Sequence, residues 1–223
     1  MKKFFIFICC IPLVFVNLSS AHQPRVVGGG EEVLEIKNPD ISQAFYGELK
    51  GVPAHYKITS NEPFSLYLSV LVPDIEGIDK NISVELYKMV AEREIPDKTL
   101  LDGESFEWTS FYEPFAGDDY FQGPDWGPEE VEVGEYHINV FNPDNNGRYS
   151  LVVGQKEEFP LAEIWNTVLA LPSLKKNFFN KSPFSAFFNL TGVFLLIALV
   201  LIIIVILLLR KFIRKMLLDT RLF

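Results

Sequence analysis

The stretch G-E-Y-H-I-N-V-F-N-P-D-N-N-G-R-Y-S-L-V-V, residues 134–153, carries the clearest structural pattern in the chain. Apolar side chains occupy every second position at Tyr136, Ile138 and Val140 and again at Tyr149, Leu151 and Val153. This period of two is that of a strand with one face in the core. The intervening N-P-D-N-N-G at 142–147 is rich in turn formers. It predicts a hairpin between two antiparallel strands.

Further strands are predicted upstream, because the same alternation recurs there and turn signals separate the runs. The predicted runs include Gln43–Leu49, Ala54–Thr59, Phe64–Val72, Ile82–Lys88 and Ser105–Tyr112. About eight short strands between Val33 and Gly154, with no helical period between them, indicate an all-β domain. The predicted fold is an antiparallel β-sandwich of the jelly-roll type over residues 36–155, preceded by a flexible lead-in at 22–35.

The C-terminal part of the chain is strongly apolar. No charged residue occurs from Ser182 to Leu209, and Val193–Leu209 is almost wholly Leu, Ile, Val, Phe and Ala. A run of this length predicts one transmembrane helix, assigned to residues 184–209, rather than a buried helix of a soluble protein. Four Lys or Arg residues within 210–215 follow it. They predict that residues 210–223 form a cytoplasmic tail.

The N-terminus has the pattern of a secretory signal peptide. Basic residues at 2–3 precede the apolar run Phe4–Val16, which is too short to cross ~30 Å of hydrocarbon. Ser19 and Ala21 supply the small residues that a signal peptidase requires at positions −3 and −1. We therefore predict a signal peptide over residues 1–21 and a single-pass protein of the cell membrane whose N-terminal domain faces the cell exterior.

Cleavage after residue 21 would leave His22 as the first residue and remove both cysteines, Cys9 and Cys10. The mature chain is then predicted to have no disulfide and no thiolate metal site. From His22 to Lys181, 13 Lys or Arg against 28 Asp or Glu give a net charge of −15. Such a surface repels nucleic acid and anionic lipid headgroups, so nucleic acid is excluded as a partner. The predicted transmembrane helix makes the lipid bilayer a predicted partner.

Residues 156–183 are predicted to form an amphipathic segment beside the membrane. Pro160 suits the first turn of a helix, and apolar residues then recur at helical spacing until Pro172, which is predicted to stop the helix. Two placements are open at this point. The helix either packs under the sandwich or lies in the headgroup region, for which Trp165 is well suited.

Several of these strands resemble the pre-peptidase C-terminal domains of bacteria and archaea. The resemblance rests on Tyr46–Leu49, Tyr56–Ile58, Phe64–Leu68, Gly134–Val140 and Gly147–Val153, and it covers Ile41–Gly154. It implies a small jelly-roll module with an accessory role in binding, targeting or folding, not in catalysis. Val52–His55 replace acidic residues found in many such modules, so no cation role is carried over.

Catalytic motifs are absent from the sequence. No Gly-x-Ser-x-Gly elbow occurs, and no Ser, His and Asp pattern predicts a triad. Gly28–Gly30 precede acidic residues in place of the Lys and Ser of a phosphate-binding loop. We therefore predict no catalytic residue.

The first candidate site is a copper site. The imidazole and free α-amine of His22, exposed by cleavage, would chelate copper together with His55 or His137, in a set of nitrogen ligands. Strand periodicity places both of these histidines on the face away from the core. The alternative is that the three histidines are unrelated surface residues.

The second candidate site is a predicted loop over Glu113–Pro128. It contains Asp118, Asp119, Asp125 and Trp126, and carboxylates in a loop suit calcium while exposed aromatic residues suit a carbohydrate or protein ligand. The alternative is that the aromatic side chains cover the open end of the sandwich.

Asn81 and Asn180 are predicted glycosylation acceptors, since each begins an Asn-x-Ser sequence. The leading functional prediction is a non-enzymatic, membrane-anchored extracytoplasmic binding or assembly module. The alternatives are an extracytoplasmic copper-binding protein that uses His22 and an accessory subunit of a membrane complex.

Overall fold

The computed structural model of the protein describes residues 22–28, 32–90, 93–94 and 99–219. The predicted signal peptide, with Cys9 and Cys10, and the last residues of the predicted tail, 220–223, lie outside these residues. Within the described part, the chain forms two six-stranded sheets followed by helical segments.

The strands occupy most of the chain before residue 154. They are β1 (Gln23–Val26), β2 (Leu34–Glu35), β3 (Gln43–Lys50), β4 (Ala54–Ser60), β5 (Phe64–Pro73), β6 (Ser83–Val90), β7 (Arg93–Glu94), β8 (Thr99–Leu101), β9 (Thr109–Glu113), β10 (Asp118–Val131), β11 (Gly134–Phe141) and β12 (Asn146–Val153). Sheet A has the order β1-β3-β12-β5-β10-β9. Sheet B has the order β2-β4-β11-β6-β7, and β8 also pairs with β6.

The strand pairs are not all antiparallel. Strand β1 pairs with β3 in parallel, and so does β2 with β4, whereas the other described pairs are antiparallel. The prediction of a flexible lead-in over 22–35 is therefore wrong for 23–26 and 34–35. These short segments add to the sheets through backbone hydrogen bonds, which leave little hydrophobic pattern in the sequence.

The inner faces of the two sheets share one hydrophobic core. Its buried side chains include Phe45, Leu68 and Leu151 from sheet A and Ile58, Val84 and Ile138 from sheet B. Burial of such apolar side chains contributes roughly 25 cal/mol per Å² and is the main stabilising term. The predicted all-β domain is thus confirmed at the level of two sheets around one core.

The hairpin predicted within 134–153 is wrong. Strand β11 pairs with β4 and β6 in sheet B, while β12 pairs with β3 and β5 in sheet A. The connection at 142–147 therefore crosses from one sheet to the other. The Asn142 side chain closes it, donating to the carbonyl of Asn146 at 2.8 Å and accepting from its N–H at 3.0 Å.

The two alternating patterns nevertheless predict correctly which side chains of each strand are buried. Tyr136, Ile138 and Val140 in β11 and Tyr149, Leu151 and Val153 in β12 are all buried in the shared core. Their rows face each other from opposite sheets. Turn residues make the chain reverse, but they do not determine whether the next strand pairs with the previous one.

A pair of tyrosines links the sheets inside the core. The hydroxyls of Tyr56 in β4 and Tyr149 in β12 share a hydrogen bond of 2.8 Å, and both residues are at most 1% exposed. The ring of Tyr149 lies over Gly47 of β3, where an added Cβ would come within 2.5 Å of the ring. Gly47 is therefore needed for the close approach of the ring to the sheet.

Two helices and a short turn follow the sheets. Helix α1 spans Leu161–Asn177, a 3-10 turn spans Pro183–Phe187, and helix α2 spans Leu190–Asp219. The prediction that Pro172 ends the first helix is wrong. Proline removes one backbone hydrogen bond, but Leu174 and Lys175 beyond it are buried and hold the following turn against the protein.

Helix α2 begins later than predicted and extends further. The predicted span was 184–209, whereas the part of α2 that could span a membrane is Leu190–Arg214, and its most apolar 18 residues have a mean hydropathy of 3.7. None of its most apolar part is buried by the rest of the described chain. At 1.5 Å per residue, these 25 residues reach about 37 Å, long enough to cross a membrane. The described part of the predicted tail, 210–219, continues the helix.

The Tyr56–Tyr149 bond leads to a stability prediction. Tyr149→Phe leaves the buried Tyr56 hydroxyl without its partner, and we expect the unfolding free energy to fall by about 1–3 kcal/mol. The double variant Tyr56→Phe/Tyr149→Phe should lose less than the sum of the two single variants. Urea unfolding in detergent measures both effects. Tyr112→Phe, at an exposed position, is the control, and an equal loss there would contradict the prediction.

Candidate functional site

The outer face of sheet A is covered by the segment that leads to α2. Leu174 of α1 and the following Phe178 and Phe179 form a second buried cluster with outward-facing side chains of sheet A, namely Ala44, Leu71, Tyr120 and Val152. Phe178 packs edge-on against Tyr46 and Phe179 against Tyr120, with ring centroids 5.0 and 5.1 Å apart. Of the two placements predicted for this segment, packing on the sheet is the one observed for its C-terminal end.

The N-terminal half of α1 has a different environment. Leu161, Trp165 and Leu169 follow one another at a spacing of four residues and are 79%, 67% and 72% exposed. Residues at this spacing share one face of a helix. Helix α1 therefore has one apolar side against the protein and a second apolar side with no protein cover among the described residues.

The end of the segment is also clamped by an arginine. Arg148 of β12 donates to the carbonyl of Phe178 and to the side chain of Asn180, both at 2.9 Å. Asn180 adopts a left-handed backbone conformation, with φ of 54°. These contacts fix the point at which the chain leaves α1.

A tight turn joins β9 to β10 where the sequence predicted a long loop. Strand β10 starts at Asp118, and only residues 114–117 form the turn. The Glu113 carboxylate accepts the N–H groups of Phe115 and Ala116 at 2.8 and 2.7 Å, and Gly117 has the φ of +69° that favours glycine. Burial raises the pKa of Glu113. The loop prediction for Glu113–Pro128 is therefore wrong.

The glycine–proline pairs of that segment do not end the strand either. The pairing of β10 with β5 shifts register between Gln122 and Asp125 and again between Trp126 and Glu129. Each shift contains one Gly-Pro pair. Proline has no N–H for a ladder bond, so it is accommodated at these irregularities.

Asp118 forms a buried ion-pair cluster with two lysines. One carboxylate oxygen lies 2.7 Å from Lys175 Nζ, and the other lies 3.1 Å from Lys181 Nζ. The side chains of Asp118 and Lys175 are 2% and 1% exposed. Lys175 also donates to the carbonyl of Ala116, and Lys181 lies 3.4 Å from Asp119. We call Asp118, Asp119, Lys175 and Lys181 the junction cluster.

The predicted calcium or ligand residues Asp118, Asp119, Asp125 and Trp126 do not form one group in the structure. Asp118 and Asp119 already neutralise lysines. Asp125 is exposed further along β10, and Trp126 packs against the main core instead of projecting toward a ligand. The four residues are thus spread along one long strand, and β-structure separates them because strand residues rise by about 3.3 Å each.

Helix α2 begins on the same turn. Asn189 donates to the carbonyl of Ala116 at 2.6 Å and accepts the N–H of Gly192 at 3.0 Å, which caps the helix. Thr191 donates its hydroxyl to the carbonyl of Phe115 at 2.9 Å. The rings of Phe115 and Phe194 stack with centroids 6.3 Å apart. The β9–β10 turn therefore contacts both helices.

The structure does not bring the three histidines together. His22 lies at the start of β1 beside sheet A, and its Nδ1 hydrogen-bonds the Ser42 hydroxyl. His55 and His137 lie on the outer side of sheet B, where they bond Asn139 and Glu135, each at 2.7 Å. Both sheets and the core stand between the two locations. Burial lowers the pKa of His22 to about 4.

Within the described residues, no group of three or more His, Cys, Asp or Glu side chains is arranged to hold a metal ion. The structure does not bring together the predicted copper ligands, because His22 lies beside sheet A while His55 and His137 lie in strands of sheet B. The predicted glycosylation residue Asn81 is half-buried and accepts a hydrogen bond of 2.9 Å from Asn142, while Asn180 is exposed.

The arrangement forms a half-open cavity of about 480 Å³, which the sequence did not predict. Its lining is mostly apolar and comes from sheet A, α1 and the first turns of α2, as with Val152, Val168 and Leu195. One signal was present in the sequence. The unbroken apolar runs Val70–Val72 and Leu151–Val153 are typical of strands covered on both faces.

Comparisons with known proteins do not show a family for this chain. No protein-family model and no curated protein matches the chain. Among solved structures, the chain is similar to the pre-peptidase C-terminal domain of a collagenase from Bacillus anthracis, with 12% identity and a TM-score of 0.30, over 60% of this chain and 95% of that one. It is also similar to a β-glucosidase from Paenibacillus barengoltzii, with 9% identity and a TM-score of 0.21, over 64% of this chain and 14% of that one. At these TM-scores, neither likeness carries an argument about function.

The junction cluster leads to a second stability prediction. Asp118→Ala leaves the Lys175 ammonium buried without a counter-charge, and we expect a loss of about 3–5 kcal/mol in unfolding free energy. The double variant Asp118→Leu/Lys175→Met should recover much of that loss. Chemical unfolding of the detergent-solubilised chain provides the measurement.

Asp119→Ala is the matched control, because this neighbour is 55% exposed and its pair with Lys181 is solvated. We expect the control to change the unfolding free energy by at most ~1 kcal/mol. Equal losses in Asp118→Ala and Asp119→Ala would show that the buried pair is not critical for stability.

Proposed function

We propose that this chain is a non-catalytic module anchored in a membrane by α2, and that its β domain lies outside the cytoplasm to bind or assemble with other molecules. One observation carries the proposal. The β9–β10 turn of the domain contacts the end of α1 through Lys175 and the start of α2 through Asn189 and Thr191. The binding domain and the anchor are therefore built as one unit.

This contact distinguishes the chain from a domain on a flexible tether. Between α1 and α2, Phe178, Phe179 and Ala186 are buried, and Lys181 belongs to the junction cluster. A tether that only retained a domain near a membrane would not require buried contacts. A fixed connection would hold the β domain in one orientation relative to the bilayer, which suits presentation of a surface to a partner.

Charge supports the proposed orientation. The residues before α2 carry the acidic excess of −15 counted from His22 to Lys181, whereas residues 210–223 carry five Lys or Arg against one Asp. Basic residues flanking a membrane helix favour the cytoplasmic side. The signal peptide at 1–21, the location at the cell surface and the jelly-roll connectivity are parts of the same proposal, and they rest on the sequence.

Cysteine labelling tests the orientation. Because the predicted mature chain has no cysteine, a membrane-impermeant maleimide should label Glu76→Cys in intact cells and leave the wild type unlabelled. Arg221→Cys should react only after the membrane is permeabilised. The reverse pattern would contradict the proposed topology, and a labelled wild-type chain would contradict cleavage of the signal peptide.

Spin-label distances test the fixed connection. With labels at Glu76→Cys and Leu199→Cys in lipid nanodiscs, we expect one narrow distance distribution, because the junction cluster couples the domain to α2. Asp118→Ala should broaden it, while Asp119→Ala should leave it narrow. A broad distribution in the otherwise unchanged chain would show that the domain is tethered and not fixed.

A further inference from the structure

The cavity between sheet A, α1 and α2 has the properties of a ligand site. Its volume of about 480 Å³ falls within the roughly 300–1,000 Å³ that is common for ligand pockets. Its walls are apolar side chains of three separate elements, including Leu71 of β5, Leu171 of α1 and Phe194 of α2. A space lined in this way favours a hydrocarbon ligand, because burying apolar surface is its main source of affinity.

We infer that this cavity holds one hydrocarbon chain of a bilayer lipid. The inference rests on the proposed function, since it requires α2 to lie in a membrane. Leu195 and Ala198 line the cavity and also belong to the apolar span Leu190–Arg214. The cavity wall is thus continuous with the surface that contacts lipid, and a chain can enter from the bilayer without crossing water.

A buried hydroxyl provides an independent argument. Thr167 lines the cavity, and its Oγ1 is buried without a hydrogen-bond partner among the described residues. Buried hydroxyl groups are normally paired, and a threonine inside a helix often bonds the carbonyl four residues earlier. An ester carbonyl, which joins a lipid chain to its headgroup region, would accept this hydrogen bond.

The charges around the cavity favour an uncharged or zwitterionic lipid over an anion. The acidic groups in the lining are Glu113 and Asp118, and Asp118 is occupied by Lys175 and Lys181. Glu113 accepts two backbone N–H groups. The carboxylate of a free fatty acid would meet these acidic side chains, and the described lining contains no Lys or Arg to balance it. An esterified chain of a zwitterionic lipid is therefore the better match.

Photolabelling of the full chain tests this inference. The probe is a phosphatidylcholine with a diazirine at the end of one acyl chain, used in phosphatidylcholine nanodiscs free of detergent. We expect peptide mapping to find label on Leu171 and Phe179, which are 6% and 3% exposed and line the cavity. Label should also appear on Leu199 and Ile203, which face outward on α2.

Matched variants separate the cavity from the rest of the surface. Val168→Trp fills the cavity and should reduce the label on Leu171 and Phe179 about tenfold, which corresponds to about 1.4 kcal/mol of binding free energy. Leu169→Trp changes the next residue, which is 72% exposed and outside the lining, and should leave that label unchanged. If Val168→Trp does not fold, Ala198→Phe fills the cavity from α2 instead and should reduce the same label. Leu199→Phe, at the next residue and outside the lining, is its control.

Three outcomes would overturn the inference. The first is equal labelling of Leu171 and Phe179 in the filled and control variants, and the second is label confined to α2. The third is stronger cavity labelling by a diazirine-bearing free fatty acid, which would assign the site to a free fatty acid. Loss of label on Leu199 and Ile203 themselves would instead identify a failure of the proposed membrane anchor.

Discussion

The buried carboxylate of Asp118, held between Lys175 and Lys181, is the constraint on which the arrangement of the molecule depends. Removing an ion from water costs several kcal/mol, so Asp118 and Lys175 are stable in the interior only in each other's presence. Asp118 is the first residue of β10, and Lys175 lies in the last turn of α1. Their pairing specifies one position of the helix on the sheet, which apolar contacts alone would leave less precisely determined.

The other features of the junction follow from that position. With α1 in place, Phe178 and Phe179 cover the outer face of sheet A, and the chain enters α2 beside the β9–β10 turn. The cavity lies where sheet A and the two helices meet, and apolar side chains of all three elements line it. The proposed anchoring, the proposed orientation and the proposed lipid site would thus all follow from a single docking arrangement.

The predicted and observed structures differ most where the partner of a segment is distant in sequence. Alternation over 136–140 and 149–153 correctly predicted which side chains are buried, since period two reports the environment of each strand by itself. The alternation contains no information about which strands pair with each other. It therefore predicts a hairpin at 142–147, where the chain crosses from one sheet to the other. Asp118 is the corresponding case in the site, because its acidic neighbours suggested a calcium ion, while its partner Lys181 lies 63 residues later in the chain.

By itself, the sequence determined the strands β3–β6, β11 and β12, the buried faces of β11 and β12, and an apolar run long enough to span a membrane, because each depends on local composition and period. Only the tertiary structure decided how the strands divide between two sheets, that Asp118 and Asp119 bind lysines, and that His22 is separated from His55 and His137. It also decided that α1 and sheet A line a half-open cavity beside α2. The physical reason is that these features depend on contacts between remote segments, and such contacts are selected by packing and charge pairing across the whole fold.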